Sequence, residues 1–154
     1  MLQLPESVYR QIRRHGEEAY PHECCGVLLG AVSGLLKSVT QAVPVNNASV
    51  GNTRNHYQIH PRDLVRIEQG AREAGAEILG FYHSHPDHPA HWSPTDLAEA
   101  HWLGCSYLIT AIAEGAATET RSFHLAGSGE EDKRFDPEEI RIVEGLARTE
   151  SVTF

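Results

Sequence analysis

Two histidines, a serine and an aspartate follow one another in this sequence at a spacing that suits metal-assisted hydrolysis. His83 and His85 come directly after an apolar run over residues 77–82, and Ser93 and Asp96 follow a proline-rich loop. The run has the composition of a buried strand, and the two-residue period of a strand directs both imidazoles to one face. Two imidazoles and a carboxylate are typical ligands of a catalytic zinc ion, whose fourth position is left for water. The pattern therefore predicts a catalytic metal site rather than a structural one.

A hydrolytic site also needs a general base that carries a proton from the attacking water to the leaving group. Glu23, just before the first predicted strand, is the candidate. Its neighbour His22 suggests a His-Glu-x-x-His zinc helix, but Gly26 occupies the place of the second histidine, so that motif fails. The chain also lacks the Pro-Cys-x-x-Cys of zinc deaminases and the Gly-x-Ser-x-Gly of serine hydrolases.

The serine and the aspartate have a purely structural explanation as well. Ser93 at a helix N-cap, Pro94 at the first helical position and Asp96 at the third would satisfy free backbone donors. A lone His-x-His pair is also weak evidence in a chain with 10 histidines. The capping explanation leaves the histidine spacing unexplained, and a capping role and a role in the site can coexist.

The rest of the sequence predicts alternating helices and strands around these residues. Apolar positions at helical spacing predict a first helix from Pro5 to Tyr20, which Pro21 ends. Two antiparallel strands, residues 25–30 and 35–40, are then expected to join through a turn at Ser33-Gly34. The later elements are predicted as a loop at 46–55, a short strand at 56–60, a helix from 61 to about 75, the strand at 77–82, a helix at 93–103, strands at 106–113 and 118–125, a loop at 126–133 and a late strand at 139–143.

Length, charge and cysteine usage bound the class of protein. The 154 residues suffice for one domain with a real core. A net charge of -8 without a Lys/Arg cluster would not attract a phosphate backbone, so nucleic acid is not an expected partner. We find no targeting segment and no apolar run of membrane-spanning length, which predicts a cytoplasmic protein without membrane contact. Three cysteines, Cys24, Cys25 and Cys105, are an odd count that predicts reduced thiols.

For most of the other residues near the predicted site, we expect only packing roles. Cys24 and Cys25 are expected at the start of a strand, one packed inward and one outward. Trp102 is expected in the core. Trp92, next to the serine of the predicted site, is the better candidate for a substrate contact.

Taken together, these motifs resemble the JAB/MPN family with its JAMM zinc signature, an upstream glutamate paired with His-x-His-x7-Ser-x2-Asp. Residues 23–30 are similar to the Glu-x-Cys-Gly-x-Leu-x-Gly first strand of its small standalone bacterial branch. Asn46-Asn47 and residues 56–61 resemble the Asn-rich segment and the Phe/Tyr-x-x-Asp-Pro of that branch, with His60 in place of the usual Asp. The resemblance spans roughly residues 5 to 125 and involves several motifs in the same order.

The resemblance implies a three-layer α/β fold with a mixed, curved β-sheet flanked by helices, similar to cytidine deaminases. The domain is expected to cover residues 1–144, and residues 145–154, which have no periodic pattern, are expected to form a flexible tail. One zinc ion per chain would be held by His83, His85 and Asp96, with water as the fourth ligand. Glu23 would act as the base, and the Ser93 hydroxyl would donate to the developing oxyanion.

The resemblance also implies a substrate, namely an amide or isopeptide bond next to the Gly-Gly end of a ubiquitin-like or sulfur-carrier protein. Its tail is expected to bind as an extended strand at a sheet edge, near the loop at 46–55. Three other functions stay open: a non-catalytic MPN scaffold, a RadC-like DNA-associated protein, and a peptidase for small peptides or cell-wall fragments. The complete ligand set favours an enzyme, and the acidic charge disfavours DNA. A homodimer is compatible with the sequence.

Overall fold

One eight-stranded sheet with helices on both faces makes up the protein, in a computed structural model that describes residues 1–145 and 154. The strands are β1 (Leu2–Pro5), β2 (Cys25–Ser33), β3 (Leu36–Val45), β4 (Glu77–Pro86), β5 (Ser106–Ala113), β6 (Ala116–Ala126), β7 (Arg134–Glu138) and β8 (Ile140–Val143). The helices are α1 (Glu6–Ala19), α2 (Pro61–Glu73) and α3 (Pro94–Glu99).

The sheet is mixed, in the order β7-β6-β5-β4-β2-β3-β1-β8. Strand β2 pairs antiparallel with both β3 and β4, whereas β4 and β5 are parallel. Glu139 alone separates β7 and β8, which lie at the two ends of the strand order. One short segment therefore connects both edges of the sheet, and the sheet must curve for this to happen.

Two apolar clusters, one on each face of the sheet, hold the helices in place. Alternate residues of β2 divide between them: Val27 and Leu29 belong to the cluster that α2 covers, and Leu28 belongs to the one that α1 covers. Helix α1 is amphipathic, and its buried positions include Val8 and Ile12. The predicted three-layer α/β arrangement with a mixed, curved sheet is confirmed.

Strand β2 begins beside β4 because glycine permits a close approach there. A Cβ atom added to Gly26 would collide with the ring of Tyr82, whose hydroxyl is 2.8 Å from Nδ1 of His15 on α1. No larger residue fits at position 26 unless that ring moves. The glycine thus lets α1, β2 and β4 pack together directly upstream of the two histidines.

The predicted short strand at 56–60 is wrong. Its backbone groups bond within the preceding loop: the amide of Asn47 donates to the His56 carbonyl and accepts from the Gln58 N–H, and Ala48 N–H donates to the Gln58 carbonyl. These backbone groups of His56 and Gln58 therefore have hydrogen-bond partners without a neighbouring strand.

The predicted helix at 93–103 is too long, because α3 ends at Glu99. The Lys133 ammonium takes the carbonyl oxygens of Ala98 and Ala100, at 3.0 and 2.9 Å. Those carbonyls would otherwise accept the amide hydrogens of a next helical turn. Lys133 therefore takes the place of the next helical turn as the hydrogen-bond donor to these carbonyls, and local periodicity could not predict this.

Two strands and one cysteine also differ from the expectation. Strands β1 and β7 were not predicted: β1 spans only four residues, too few for its alternating buried Leu2 and Leu4 to indicate a strand, and β7 is largely polar. Cys24 and Cys25 are both buried, one in each apolar cluster, which corrects the expectation that one of them points outward. Both are free thiols, as is Cys105.

The predicted flexible tail falls mainly on residues 146–153, which lie outside the described residues. Phe154 is described, and its ring packs against Gly70 of α2 at the edge of the apolar cluster. Among the described residues, no helix has both the length and the apolar character needed to cross a membrane.

Candidate metal centre

The end of β4 places two imidazoles side by side in a buried position. His83 and His85 are 1% and 7% exposed, and their Nε2 atoms lie 3.1 Å apart. The sheet buries them because Cys25 of β2 is the register partner of His83 and β5 flanks the strand on its other side. Two imidazole lone pairs at this distance repel each other unless a proton or a cation lies between them.

The first turn of α3 brings a carboxylate to the same point. Oδ2 of Asp96 is 3.1 Å from Nε2 of His85, and Oδ1 is 3.4 Å from Nε2 of His83. Asp96 is held there by a capping box: its amide donates to Oγ of Ser93, and its Oδ2 accepts from the Ser93 amide. The capping role considered from the sequence is therefore real, and the same geometry aims Asp96 at the histidines.

Each ring is positioned by a neighbour that the sequence did not reveal. Nδ1 of His85 donates to the carbonyl oxygen of Pro89 at 2.9 Å, since a carbonyl can only accept. In a neutral ring this leaves Nε2 of His85 with its lone pair directed at the site. The ring of Tyr57 stacks on His83 with centroids 4.3 Å apart.

Glu23 lies at the same site although it comes from the segment before β2. Glu23 is 5% exposed. A carboxylate oxygen of Glu23, a ring nitrogen of His83 and a ring nitrogen of His85 all lie within 4.8 Å of one another, close enough to hold a metal ion. Its Oε1 is buried without a hydrogen-bond partner among the described atoms, as is Nδ1 of His83. A buried, unpaired carboxylate oxygen is costly unless it serves a purpose at the site.

The two carboxylates of the site have opposite pKa shifts. Burial raises the pKa of Glu23 to about 8, with Asp96 and Glu99 adding to the rise and His85 opposing it. For Asp96, burial also opposes ionisation, but the two imidazoles and the Ser93 amide outweigh it and hold the pKa far below its usual range. One carboxylate is thus a permanent anion and the other is poised for proton transfer near neutral pH.

The imidazoles also differ from each other. Burial lowers the pKa of His83, although Asp96 opposes the change. Burial acts the same way on His85, but hydrogen bonds to Asp96 and Pro89 outweigh it and raise its pKa.

A cleft of about 380 Å³ opens onto the site. It is lined by Glu23, Asn55, His85, His88, Pro89, His91, Trp92 and Ser93. Trp92 lines this cleft, and its role as a substrate contact stays a prediction. Trp102 meets the ring of Phe81 edge-on at 5.3 Å and is half-buried at the border of the apolar cluster, which agrees only in part with the core position expected for it.

The loop at 46–55 fixes the backbone of Glu23. The Thr53 carbonyl accepts from the Glu23 N–H at 2.7 Å, and the side-chain amide of Asn47 donates to the Glu23 carbonyl at 3.2 Å. On the other side, the Ser84 hydroxyl accepts from the Cys24 N–H at 2.8 Å. The glutamate is therefore held between this loop and the strand that carries the histidines.

The structure brings the five residues singled out from the sequence together at one place: Glu23, His85 and Ser93 line the cleft, and His83 and Asp96 contact His85 beside it. The sequence missed the Pro89 carbonyl, and it noted Tyr57 only as part of the segment at 56–61, without a role beside His83. Asn47 was noted only as part of an Asn-rich segment.

Comparison with known proteins identifies the class of protein. The domain family described as prokaryotic homologs of the JAB domain matches residues 5–126, and the chain belongs to that family. Its architecture is that of JAB/MPN domains.

Two relatives and one solved structure are similar over much of the chain. A Haloferax volcanii protein named desampylase is 36% identical over 104 residues, which are 68% of this chain and 73% of that protein. A Thermus thermophilus protein named probable TtuB-protein conjugate cleaving protease is 28% identical over 102 residues, 66% of this chain and 65% of that protein. The solution structure of a Desulfitobacterium hafniense protein has a TM-score of 0.82 at 29% identity and covers 97% of both chains.

Proposed function

We propose that the protein is a zinc metallopeptidase that hydrolyses the amide or isopeptide bond next to the Gly-Gly end of a ubiquitin-like or sulfur-carrier protein. In this proposal His83, His85 and Asp96 hold the zinc ion, Glu23 is the general base and Ser93 stabilises the oxyanion. Three buried free thiols fit a reducing compartment, so we place the activity in the cytoplasm.

The spacing of the donor groups carries the proposal. The Nε2 atoms of His83 and His85 lie 3.1 Å apart, and the two oxygens of the Asp96 carboxylate divide between them: Oδ2 lies 3.1 Å from His85 and Oδ1 lies 3.4 Å from His83. Tetrahedral zinc with bonds of about 2.0–2.1 Å separates its ligand atoms by about 3.3–3.4 Å, which these distances approach. Two imidazole nitrogens and one carboxylate oxygen are also the donor types that zinc accepts, so both spacing and chemistry fit this ion.

Zinc, when bound, would act as a Lewis acid that makes water acidic and polarises the scissile carbonyl. Glu23 would take the proton of the attacking water on a carboxylate oxygen and pass it to the leaving amine. Burial raises the pKa of Glu23, which makes its carboxylate a stronger proton acceptor, and a zinc ion beside it would favour the ionised form that the first proton transfer needs. Burial of the carboxylate keeps bulk water from competing for the proton.

Ser93 would donate to the oxygen that becomes negative in the transition state. Its Oγ already accepts from the Asp96 amide at 3.1 Å, so the hydroxyl hydrogen is left to point elsewhere. Ser93 is one of the residues that line the cleft, as are Glu23 and His85. A donor fixed by its own cap would need no reorganisation when the charge develops.

The substrate class is proposed from the family and from the site. One relative is named desampylase, and the other is named probable TtuB-protein conjugate cleaving protease. A Gly-Gly end has no side chains that would hinder its approach to buried ligands. The expected path of the tail lies past the loop at 46–55, which fixes Glu23 and supplies Asn55 to the cleft.

Zinc content tests the proposal first. We expect about one zinc per chain in wild type after dialysis against zinc and then against buffer, by elemental analysis. The variant with both His83→Ala and His85→Ala should retain almost none. Equal zinc in the two proteins would reject the assignment of the site.

A further inference from the structure

Asp87 stands two residues after His85 in a backbone conformation that most side chains avoid. Its φ is +56°, and Glu114 is the other non-glycine residue with a positive φ in residues 1–145. Aspartate tolerates this left-handed region better than alanine does, but an ordered position there still requires support from its surroundings.

The support comes from two separate elements, one for each oxygen of the Asp87 carboxylate. Oδ2 accepts from the Tyr20 hydroxyl at 2.7 Å, and Oδ1 accepts from the Glu114 N–H at 2.9 Å. The Asp87 N–H donates to the Ile112 carbonyl at 2.7 Å. Asp87 is therefore tied both to the end of α1 and to the turn between β5 and β6.

The turn at Asp87 sets the orientation of a metal-site histidine. Beyond β4 the chain reverses at Asp87, and this reversal brings the Pro89 carbonyl back to Nδ1 of His85 at 2.9 Å. A contact between a side chain and the carbonyl four residues later would be lost if the chain continued extended. Such an outer hydrogen bond fixes which nitrogen of a ligating histidine faces the metal.

The Tyr20 contact joins the segments that carry two functional groups. Tyr20 lies three residues before Glu23, and Asp87 lies two residues after His85. A bond between the Tyr20 hydroxyl and the Asp87 carboxylate therefore links the segment that bears the glutamate to the segment that bears the histidine. The distance between Glu23 and His85 depends on both segments.

We propose that Asp87 is a positioning residue, which orients His85 through the Pro89 carbonyl and holds the Glu23 segment in register through Tyr20. This inference rests on the proposed function for its purpose. It assigns no contact with substrate or metal to Asp87 itself.

Four variants separate the parts of this role. Asp87→Ala removes both hydrogen bonds and disfavours the positive φ, whereas Asp87→Gly removes the bonds but permits the φ. Asp87→Asn keeps an oxygen for the Glu114 N–H and tolerates the φ, so it is the conservative rescue. Tyr20→Phe removes the tyrosine bond alone.

Two measurements on the full chain then test the proposal. The first is nitrogen NMR of the His85 ring in zinc-free protein, at a pH where the ring is neutral. Wild type and Asp87→Asn should hold hydrogen on Nδ1, while Asp87→Ala should exchange between tautomers. The second is zinc affinity by competition with a chelator, where Asp87→Ala should bind about 10-fold more weakly or worse and Asp87→Asn should stay near wild type. Tyr20→Phe should keep zinc affinity and lower kcat.

The proposal would be overturned if Asp87→Ala kept hydrogen on Nδ1 of His85 and bound zinc as tightly as wild type does. The proposal would also fail if zinc affinity fell in the alanine, glycine and asparagine variants in proportion to the thermal midpoint of the zinc-free protein. Such a result would mean that Asp87 only stabilises the fold. If the variants behave as expected but zinc-loaded wild type cleaves no conjugate, the peptidase function fails and the positioning role stands. If wild type binds no zinc, the proposed function fails and the ring measurement alone decides the role of Asp87.

Discussion

At the residue scale, the protonation of the site follows from what surrounds each carboxylate. Asp96 meets two imidazoles and a backbone amide, all of which stabilise its anion. Glu23 is buried, and its Oε1 has no hydrogen-bond partner in residues 1–145, so its anion is disfavoured and burial raises its pKa to about 8. The same functional group thus suits a ligand in one place and a base in the other.

Replacing the two carboxylates should separate base from ligand. We expect Glu23→Gln to retain zinc and to lower kcat by about 10²–10⁴, because only proton transfer is lost. Asp96→Ala should lose zinc and activity together, because a ligand is gone. Elemental analysis and a cleavage assay on the same samples measure both, and equal loss of zinc in the two variants contradicts this division of roles.

Ser93 combines a structural and a chemical role that substitutions can divide. Ser93→Ala should cost about 1 kcal/mol of the free energy of unfolding, because the helix cap is lost, and should lower kcat by about 10²–10³. Ser93→Gly should recover most of the stability, since glycine is a tolerable cap, but none of the activity. Urea denaturation and steady-state kinetics test this pair, and an active glycine variant would remove Ser93 from the mechanism.

At the element scale, regular elements with strong patterns were predictable and those fixed by distant partners were not. The first helix, the β2–β3 hairpin and the strands β4, β5 and β6 follow from apolar periodicity and turn residues. The end of α3 depends on Lys133, and the segment at 56–60 depends on the side chain of Asn47. Local sequence patterns do not indicate these partners, because the partners lie elsewhere in the chain.

The same contrast applies to the site. The convergence of His83 and His85 follows from strand geometry, because alternate residues share a face. The hydrogen bond from His85 to the Pro89 carbonyl depends on the reversal of the chain at Asp87. Hydrogen bonds from Tyr20 and from the Glu114 N–H stabilise that reversal. These contacts join residues far apart in sequence, so spacing within one motif does not reveal them.

A buried ion pair stabilises the region where the sheet edges meet. Nζ of Lys37 on β3 lies 3.2 Å from Oε2 of Glu138 on β7 and 3.0 Å from Nδ1 of His124, and the Ser106 and Ser122 hydroxyls donate to Oε1 of Glu138. Burial opposes ionisation of Glu138, but the serine hydroxyls and Lys37 outweigh it and lower its pKa. The folded state therefore gains stability from this carboxylate above its ordinary pKa of about 4.5 and loses it as the pH falls through the lowered value.

Glu138→Gln should test this pair. At neutral pH we expect a loss of about 3 kcal/mol in the free energy of unfolding, because the Lys37 charge stays buried without its partner. The variant should also lose less stability than wild type when the pH drops below about 4.5. Urea denaturation across this range is the measurement. The exposed Arg10–Glu6 pair is the control, and Glu6→Gln should cost about 0.5 kcal/mol or less. Equal effects at the two positions would contradict the buried role.

At the scale of the whole molecule, we expect the fold to persist without a metal ion. Apolar clusters pack on both faces of the sheet, and the candidate ligands lie at one end of β4 and the start of α3, beside one of these clusters. A chelator should therefore abolish activity yet leave the protein folded, with a lower thermal midpoint because zinc binds the native state. Circular dichroism melting with and without zinc measures this, and unfolding at room temperature on zinc removal would contradict it.

Cleavage of a defined conjugate tests the central claim most directly. The substrate is a ubiquitin-like protein whose Gly-Gly carboxyl end is joined to a lysine of a second chain, and intact-mass analysis follows the products. Zinc-loaded wild type should release both proteins whole, at masses that sum to the conjugate plus one water. The reaction should stop on chelation, return with zinc and fail in Glu23→Gln. An intact conjugate after incubation with zinc-loaded wild type, or equal cleavage by the variant without His83 and His85, would contradict the account.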